Sequence, residues 1–455
     1  MHKDPANKKA LIDRHVKPSL VKLKIWTLCQ QISWARAFLF AAAMWLLSRL
    51  VIVVTMLLIA PSLPVPPEGM QAVFAWEAFS YADSKWYERI ATSGYEYHKV
   101  KIPTIAFFPL FPLAIRGVMS LGLPVKVAGT LVNNIAFLGA LIVLYRWVEE
   151  RHGKSIACWA TAVLAWCPLS LFGSVIYSEG LFLLCSTAAL RAFDKQQYVW
   201  AALWGAGTTA ARPTGIVLIP TLLIVAWRER RPARAYVAGL LTSGGLLLFS
   251  LYCTFEFGDF LAFYKAQRAW RPPEMSAWKM WLTTLMEVVI GPTNVKTIAN
   301  SVGTTLSTEP WTFDFWYPLL FVTILGSGYL LWRFRGKFGS FGVFYGFCAL
   351  GLFLWMLAGD ALINLVIVFG SVYLIWRLRD QLSPIAVIFG LCGLALVIYA
   401  GPFSANRIAY GIVSLAIALG MILESYPRWG YATIVFFAIV LVNFALRFSQ
   451  ELWVA

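Results

Sequence analysis

The sequence predicts an all-α, polytopic membrane protein, and three observations predict it. Of 455 residues, 60% are hydrophobic and only 13% are charged, whereas a soluble domain carries about a quarter charged residues. Apolar runs close to the roughly 20 residues that cross a bilayer recur from Phe38 to the end of the chain. Short basic clusters punctuate those runs, the pattern by which membrane proteins fix their orientation.

These features exclude a soluble enzyme carrying a single anchor. The net charge of +16 is not the signature of a nucleic-acid partner, because the basic residues fall between apolar runs rather than along one face or in an RNA-binding motif. Seven cysteines are scattered, mostly within apolar runs and without CxxC or Cys/His ligand spacing, so neither a disulfide framework nor a zinc site is expected. No internal repeat of the kind that builds many transporters is evident.

Residues 1–36 hold eight Lys/Arg against two Asp and read as a cytoplasmic basic segment. Residues 37–455 read as one transmembrane domain. The run at 38–60 is long enough to span, so it is expected to be a retained first helix rather than a cleaved signal. It delivers residues 61–121, a first long loop, to the outer side.

Later basic clusters lie at 146–154, 191–195, 228–234, 333–337 and 377–379 and around Arg428. All can be cytoplasmic only if residues 61–144 contribute a single crossing. That crossing is expected near 125–144, leaving 106–121, with Pro109, Pro112 and Arg116, as an interfacial helix. About thirteen spans result, with a second long outer loop at 255–313.

The most informative stretch is ADSKWYERIATSGY at 82–95, followed by AFFPLFP at 106–112. Asn133 and Asn134, then WCPLS and YSEG between 166 and 180, then RPTG at 212–215 continue the pattern. Together these motifs resemble the bacterial relatives of the second mannosyltransferase of GPI-anchor synthesis, the PIG-V type, within the GT-C glycosyltransferase superfamily. Eukaryotic members usually place Trp before the Asp and His three residues after it, where this chain has Ala82 and Trp86. GPI is therefore not assumed as the acceptor.

The resemblance implies a GT-C fold and transfer of a hexose, mannose, with inversion from a polyprenyl- or dolichyl-phosphate donor to a glycolipid, glycan or protein hydroxyl. It implies Asp83 as the general base, and a hydroxyl attacking an anomeric carbon needs such a group. From the residues alone, Asp83 also reads as a solvated loop carboxylate or a helix cap. Trp86, Tyr87, Gly94 and Tyr95 of the same motif are expected at the donor or acceptor. No ligand cluster forces a metal, and a divalent ion stays open.

Lys85, Arg89, His98, Lys99 and Lys101 surround Asp83 in sequence; one or two are expected on the donor phosphate and the others on lipid headgroups. Phe107, Phe108 and Phe111, stiffened by Pro109 and Pro112, form a ledge suited to a lipid tail or to interfacial anchoring. Glu179, at the outer end of a run, is costly there unless it meets water or a partner; substrate contact and a dipole-stabilised helix start are both open. Arg407, at another outer helix start, opposes the dipole, so a buried carboxylate or the donor phosphate is expected beside it. Arg49, deep in the first run, and Arg212 are expected to be structurally paired. In the second loop, Tyr264, Arg268, Trp270 and Arg271 read as an interfacial aromatic belt, with sugar stacking the alternative.

The expected compartment is the bacterial plasma membrane with the site outside, the ER membrane with a lumenal site being the alternative. The competing function is a non-catalytic transporter or flippase of lipid-linked saccharides, which has no need of the D...GY...FFPxxP loop. A structural subunit is a third reading, and it leaves the outer carboxylates without a purpose.

Overall fold

A computed structural model describes residues 20–97, 103–269, 276–302 and 313–454, and within them every regular element is a helix. The first helix, α1, spans Leu20–Val54 and runs on through a π-helical turn, Thr55–Ile59, into Ala60–Ser62. It is long and apolar enough to cross a membrane over Ser33–Ser62. Four more helical stretches qualify: Val125–His152, Ala233–Phe257, Gly342–Arg377 and Pro427–Ser449. Among the described residues, five helices are thus long and apolar enough to cross, against the thirteen or so expected spans.

The rest of the apolar sequence is broken into shorter pieces for visible reasons. After α4 (Val125–His152), Gly153 at φ +88° turns the chain into α5, Lys154–Trp166. Pro168 then opens a 3-10 stretch, Pro168–Gly173, before α6 begins at Glu179 and runs to Asp194. Proline cannot continue a helix, since it lacks the amide hydrogen and crowds the preceding turn. α7, Tyr198–Ala211, ends at Arg212–Pro213 for the same reason, and α8, Leu218–Arg228, follows.

The first long loop is folded. It holds a 3-10 turn at Trp76–Phe79, helix α2 at Asp83–Ser93, a second 3-10 turn at Thr104–Ala106 and helix α3 at Leu110–Met119. Ten residues rise about 15 Å, half a hydrocarbon core, so α3 does not cross. It buries Phe111, Pro112 and Ile115 and leaves Leu113 exposed, a one-sided face suited to lying along a surface. Arg116 Nε donates to the Ala91 carbonyl at 2.9 Å, joining α3 to the end of α2.

Two packing layers frame the site. α4 lies along α6, and α6 along α7, around a core containing Phe137, Leu141, Trp147, Leu183 and Phe193. A smaller cluster of Phe108, Phe249, Cys253 and Ala266 ties the first loop to the segment after Gly244–Phe257. The expected second loop is largely helical, with Ala262–Ala269, Ala277–Ile290 and Pro292–Val302. Trp316–Arg333 buries no residue. That much exposed apolar surface is what lipid as solvent allows.

Candidate functional site

Six chain segments meet at a cavity of about 250 Å³ lined by Asp83, Tyr87, Phe107, Tyr177, Glu179, Arg212, Thr214, Gln267 and Arg407. Asp83 is the first residue of α2, where the free amide groups of a helix start favour a carboxylate. The residue before it, Ala82, has φ +51°, a strained conformation for a side-chain-bearing residue that costs on the order of 1–3 kcal/mol and is held by its surroundings. Part of what holds it is Tyr177, whose hydroxyl oxygen accepts from the Asp83 amide at 3.3 Å.

Glu179 is the first residue of α6 and is 2% exposed. Arg212 reaches it from the end of α7, and Arg407 reaches it from the short helix Ala405–Tyr410 with Nε at 3.4 Å from Oε1. Arg407 also donates through Nη1 to Asp83 Oδ2 at 2.7 Å. The chain therefore runs Arg212, Glu179, Arg407, Asp83, two acids and two bases with no formal net charge. The contacts on Glu179 are charge contacts; neither of its oxygens has a hydrogen-bond partner among the described residues.

Burial works against the charge of Arg407, but Asp83 and then Glu179 outweigh it and hold its pKa above the usual guanidinium value. The Arg407 guanidinium also lies over the rings of Tyr177 and Phe172, at 5.4 and 5.6 Å. Tyr87 closes the floor, its hydroxyl 2.9 Å from Ser178 Oγ, and burial raises its pKa so that it stays neutral. Above it, Phe107 meets Tyr87 edge-on at 5.1 Å and Trp86 face-on at 6.4 Å.

Of the residues singled out in the sequence, Asp83, Tyr87, Phe107, Phe108, Glu179, Arg212 and Arg407 line this cavity. Trp86 sits one ring behind it, through Phe107. Lys85 points to Glu451 at 3.5 Å, and Arg89 forms a two-point pair with Glu96 at 2.7 and 3.2 Å. Gly94 ends α2 with φ +85°, and Pro109 starts α3. Tyr95 donates to the Phe107 carbonyl at 2.9 Å and packs on Phe249. His98, Lys99, Lys101, Trp270 and Arg271 lie outside the described residues. Of the phenylalanine ledge, Phe107 and Phe108 reach the cavity, whereas Phe111 is fully buried against Tyr87 and Ile115. The partner expected beside Arg407 is a carboxylate, and there are two.

Arg212 was expected only as a structural pair; its partner is Glu179, and both face the cavity. The RPTG motif was the available signal. Gln267 carried none, because it comes from a distant segment and is placed by donating to the Ala106 carbonyl at 3.0 Å. The pairing expected for Arg49 is corrected: its guanidinium lies 4.3 Å over Phe137 and has no carboxylate among the described residues. Among the described residues no group of three or more His, Cys, Asp or Glu is placed to hold a metal ion.

Residues 23–230 match the family described as Mannosyltransferase (PIG-V), so the resemblance carried by the motifs is borne out. The match takes in Asp83, Glu179 and Arg212 and stops before Arg407. The chain is 28% identical over 169 residues to GPI mannosyltransferase 2 of Cryptococcus neoformans var. neoformans serotype D, covering 35% of this chain and 37% of that protein. The chain thus aligns with just over a third of its curated relative's length.

Among solved structures, it is similar to the apo oligosaccharyltransferase of Archaeoglobus fulgidus, with 11% identity and a TM-score of 0.47 over 91% of this chain and 56% of that one. It is also similar to ArnT from Cupriavidus metallidurans bound to undecaprenyl phosphate, with 13% identity and a TM-score of 0.38 over 89% of this chain and 77% of that one.

Proposed function

We propose that the protein is a GT-C membrane glycosyltransferase that moves a hexose, mannose by family, from a polyprenyl-phosphate donor to an acceptor hydroxyl at the cavity, on the outer side of the membrane. The observation that carries this is the joining of Asp83, Glu179, Arg212 and Arg407 in one cavity, within a chain whose first half matches a mannosyltransferase family. A transporter has no need of a carboxylate held at a strained helix start beside an arginine.

In this reading Asp83 accepts the proton of the acceptor hydroxyl as its oxygen bonds to the anomeric carbon. The bond from that carbon to the phosphate oxygen breaks, and lipid phosphate leaves with the electron pair, inverting the anomeric centre. The ion pair with Arg407 occupies Oδ2 of Asp83, so Oδ1 is the oxygen proposed to take the proton. Arg407 is the group proposed to meet the donor phosphate, since guanidinium matches phosphate geometry. A phosphate drawing Arg407 toward itself would loosen its hold on Asp83 and free the carboxylate to meet the acceptor hydroxyl only once donor is bound. Glu179, whose Oε1 takes both arginines while Oε2 has no partner among the described residues, is suited to a sugar hydroxyl through Oε2, and Phe107 to the ring face.

The test is Asp83→Asn in purified protein supplied with defined polyprenyl-phosphate hexoses. Transfer is expected to fall about a hundredfold or more, the scale for removing a general base, while donor binding persists. Asp314 lies on the exposed surface and caps Trp316; Asp314→Asn is expected to behave as the parent. Near-normal transfer by folded Asp83→Asn would remove Asp83 from the chemistry.

A further inference from the structure

A second cavity, of about 710 Å³, opens on the other side of the segment that carries Tyr177 and Glu179. Its lining includes Arg49 and Val53 of α1, Phe74 and Trp76 of the first loop, and Lys126 and Asn134 of α4. Ser174 contributes to this cavity, whereas Tyr177 and Glu179, three and five residues on, line the first. The wall between them is fixed by α4: Asn134 Nδ2 donates to the Ser174 carbonyl at 2.9 Å, and Asn133 Nδ2 donates to the Val175 carbonyl at 2.6 Å.

The chemistry of this cavity is that of an anion site facing lipid. Arg49 is 5% exposed, and none of its three guanidinium nitrogens has a hydrogen-bond partner among the described residues. Stacking on Phe137 satisfies one face of the ion and none of its five N–H groups. A buried guanidinium in an apolar helix is costly unless something pairs with it. Ser174 Oγ, also buried, is equally unpartnered. Lys126 and Glu77 cancel one another at 2.8 Å, so Arg49 leaves the cavity with one net positive charge.

We propose that this cavity binds the phosphate headgroup of an anionic membrane lipid, held by Arg49 and Ser174, with its chains leaving over the exposed apolar face of α1. A lipid is favoured over a free anion because the cavity borders the apolar face of α1, where Leu50, Val53 and Leu58 are 56%, 39% and 58% exposed. Trp76, half exposed at the rim, is the residue type that settles at the headgroup level. The site is separate from the proposed transfer site and does not depend on it.

The test measures binding and not transfer. The full chain is reconstituted in phosphatidylcholine nanodiscs containing a small fraction of phosphatidylglycerol, and lipid retained on extraction is counted by native mass spectrometry. The parent and Asp83→Asn are expected to retain phosphatidylglycerol equally. Arg49→Met, which keeps the volume and loses the charge, is expected to retain about tenfold less, the scale of one charge-assisted contact; Arg49→Lys falls between. Should Arg49→Met fail to fold, Val127→Trp fills the mouth from α4 and is expected to show the same loss. Parent-level retention in whichever of these variants folds overturns the proposal. Displacement of the lipid by inorganic phosphate overturns the lipid assignment in favour of a free anion, and resistance to it supports the lipid.

Discussion

Glu179 is the residue on which both arginines of the cavity converge, and its burial sets what its removal does. At 3% side-chain exposure, against 14% and 16% for Arg212 and Arg407, it is the charge least able to fall back on water. Breaking such a pair strands the partner and costs about 3–5 kcal/mol. Glu179→Gln is therefore expected to lower thermal stability markedly, as read by unfolding in detergent. Arg212→Met added to it is expected to cost less than the sum of the two single changes, because the stranded charge goes too; additive losses would show that the two side chains do not act as a pair. Glu179 and Arg407 were legible as candidates because a charge at the end of an apolar run demands a reason, and Asp83 only through the motif that carries the family resemblance. That they face one another was not, since convergence depends on how α2, α6 and Ala405–Tyr410 pack. Arg49 misled because a buried arginine usually implies a carboxylate, and here the described neighbour is a ring.

Element by element, the site depends on how α4 grips the start of α6. Asn133 donates to the Phe172 and Val175 carbonyls at 2.7 and 2.6 Å and accepts from the Gly180 amide at 2.8 Å. One side chain thereby satisfies three backbone groups on either side of the start of α6, two before Glu179 and one at Gly180. Gly180 is required by closeness: a Cβ there would fall 2.4 Å from the Asn133 carbonyl oxygen and 2.5 Å from Oδ1. Gly180→Ala is expected to destabilise by about 1–3 kcal/mol, the usual cost of overpacking, and to lower transfer by displacing Glu179. Asn133→Ala, leaving buried backbone groups unsatisfied at about 1–3 kcal/mol each, is expected to be worse. A thermal shift series ranks them; equal stability of Asn133→Ala and the parent would mean that the clamp is not holding the segment. The NN and YSEG motifs announced these positions without revealing that they touch. The non-crossing α3 was readable from Pro109, Pro112 and the charge pattern. The helices inside 255–313 were not, because their short amphipathic stretches look like an aromatic loop in sequence.

For the whole molecule, the question is which end of the bundle faces the cytoplasm. α6 carries Glu179 at its first residue and Asp194 at its last, about 24 Å apart for sixteen residues. At the Asp194 end the basic clusters meet in space: Arg146, Arg191 and Lys195 share Glu150, Arg36 reaches Glu149, and Arg151 pairs with Asp194. Residues separated in the chain by more than a hundred positions thus form one basic rim, opposite the cavity. The positive-inside rule assigns that rim to the cytoplasm and the cavity to the other side. Single-cysteine labelling with an impermeant maleimide, in a background lacking the native cysteines, decides it. Ser93→Cys, exposed at the end of α2 away from Asp83, is expected to react in intact cells. Glu229→Cys, exposed just after α8 near the basic rim, is expected to react only after permeabilisation. The positions are chosen for exposure, since a buried neighbour such as Ser84 would resist labelling from either side. If Glu229→Cys reacts first and Ser93→Cys needs permeabilisation, the bundle is inverted, and a cavity open to the cytoplasm would have to draw its donor from the inner leaflet.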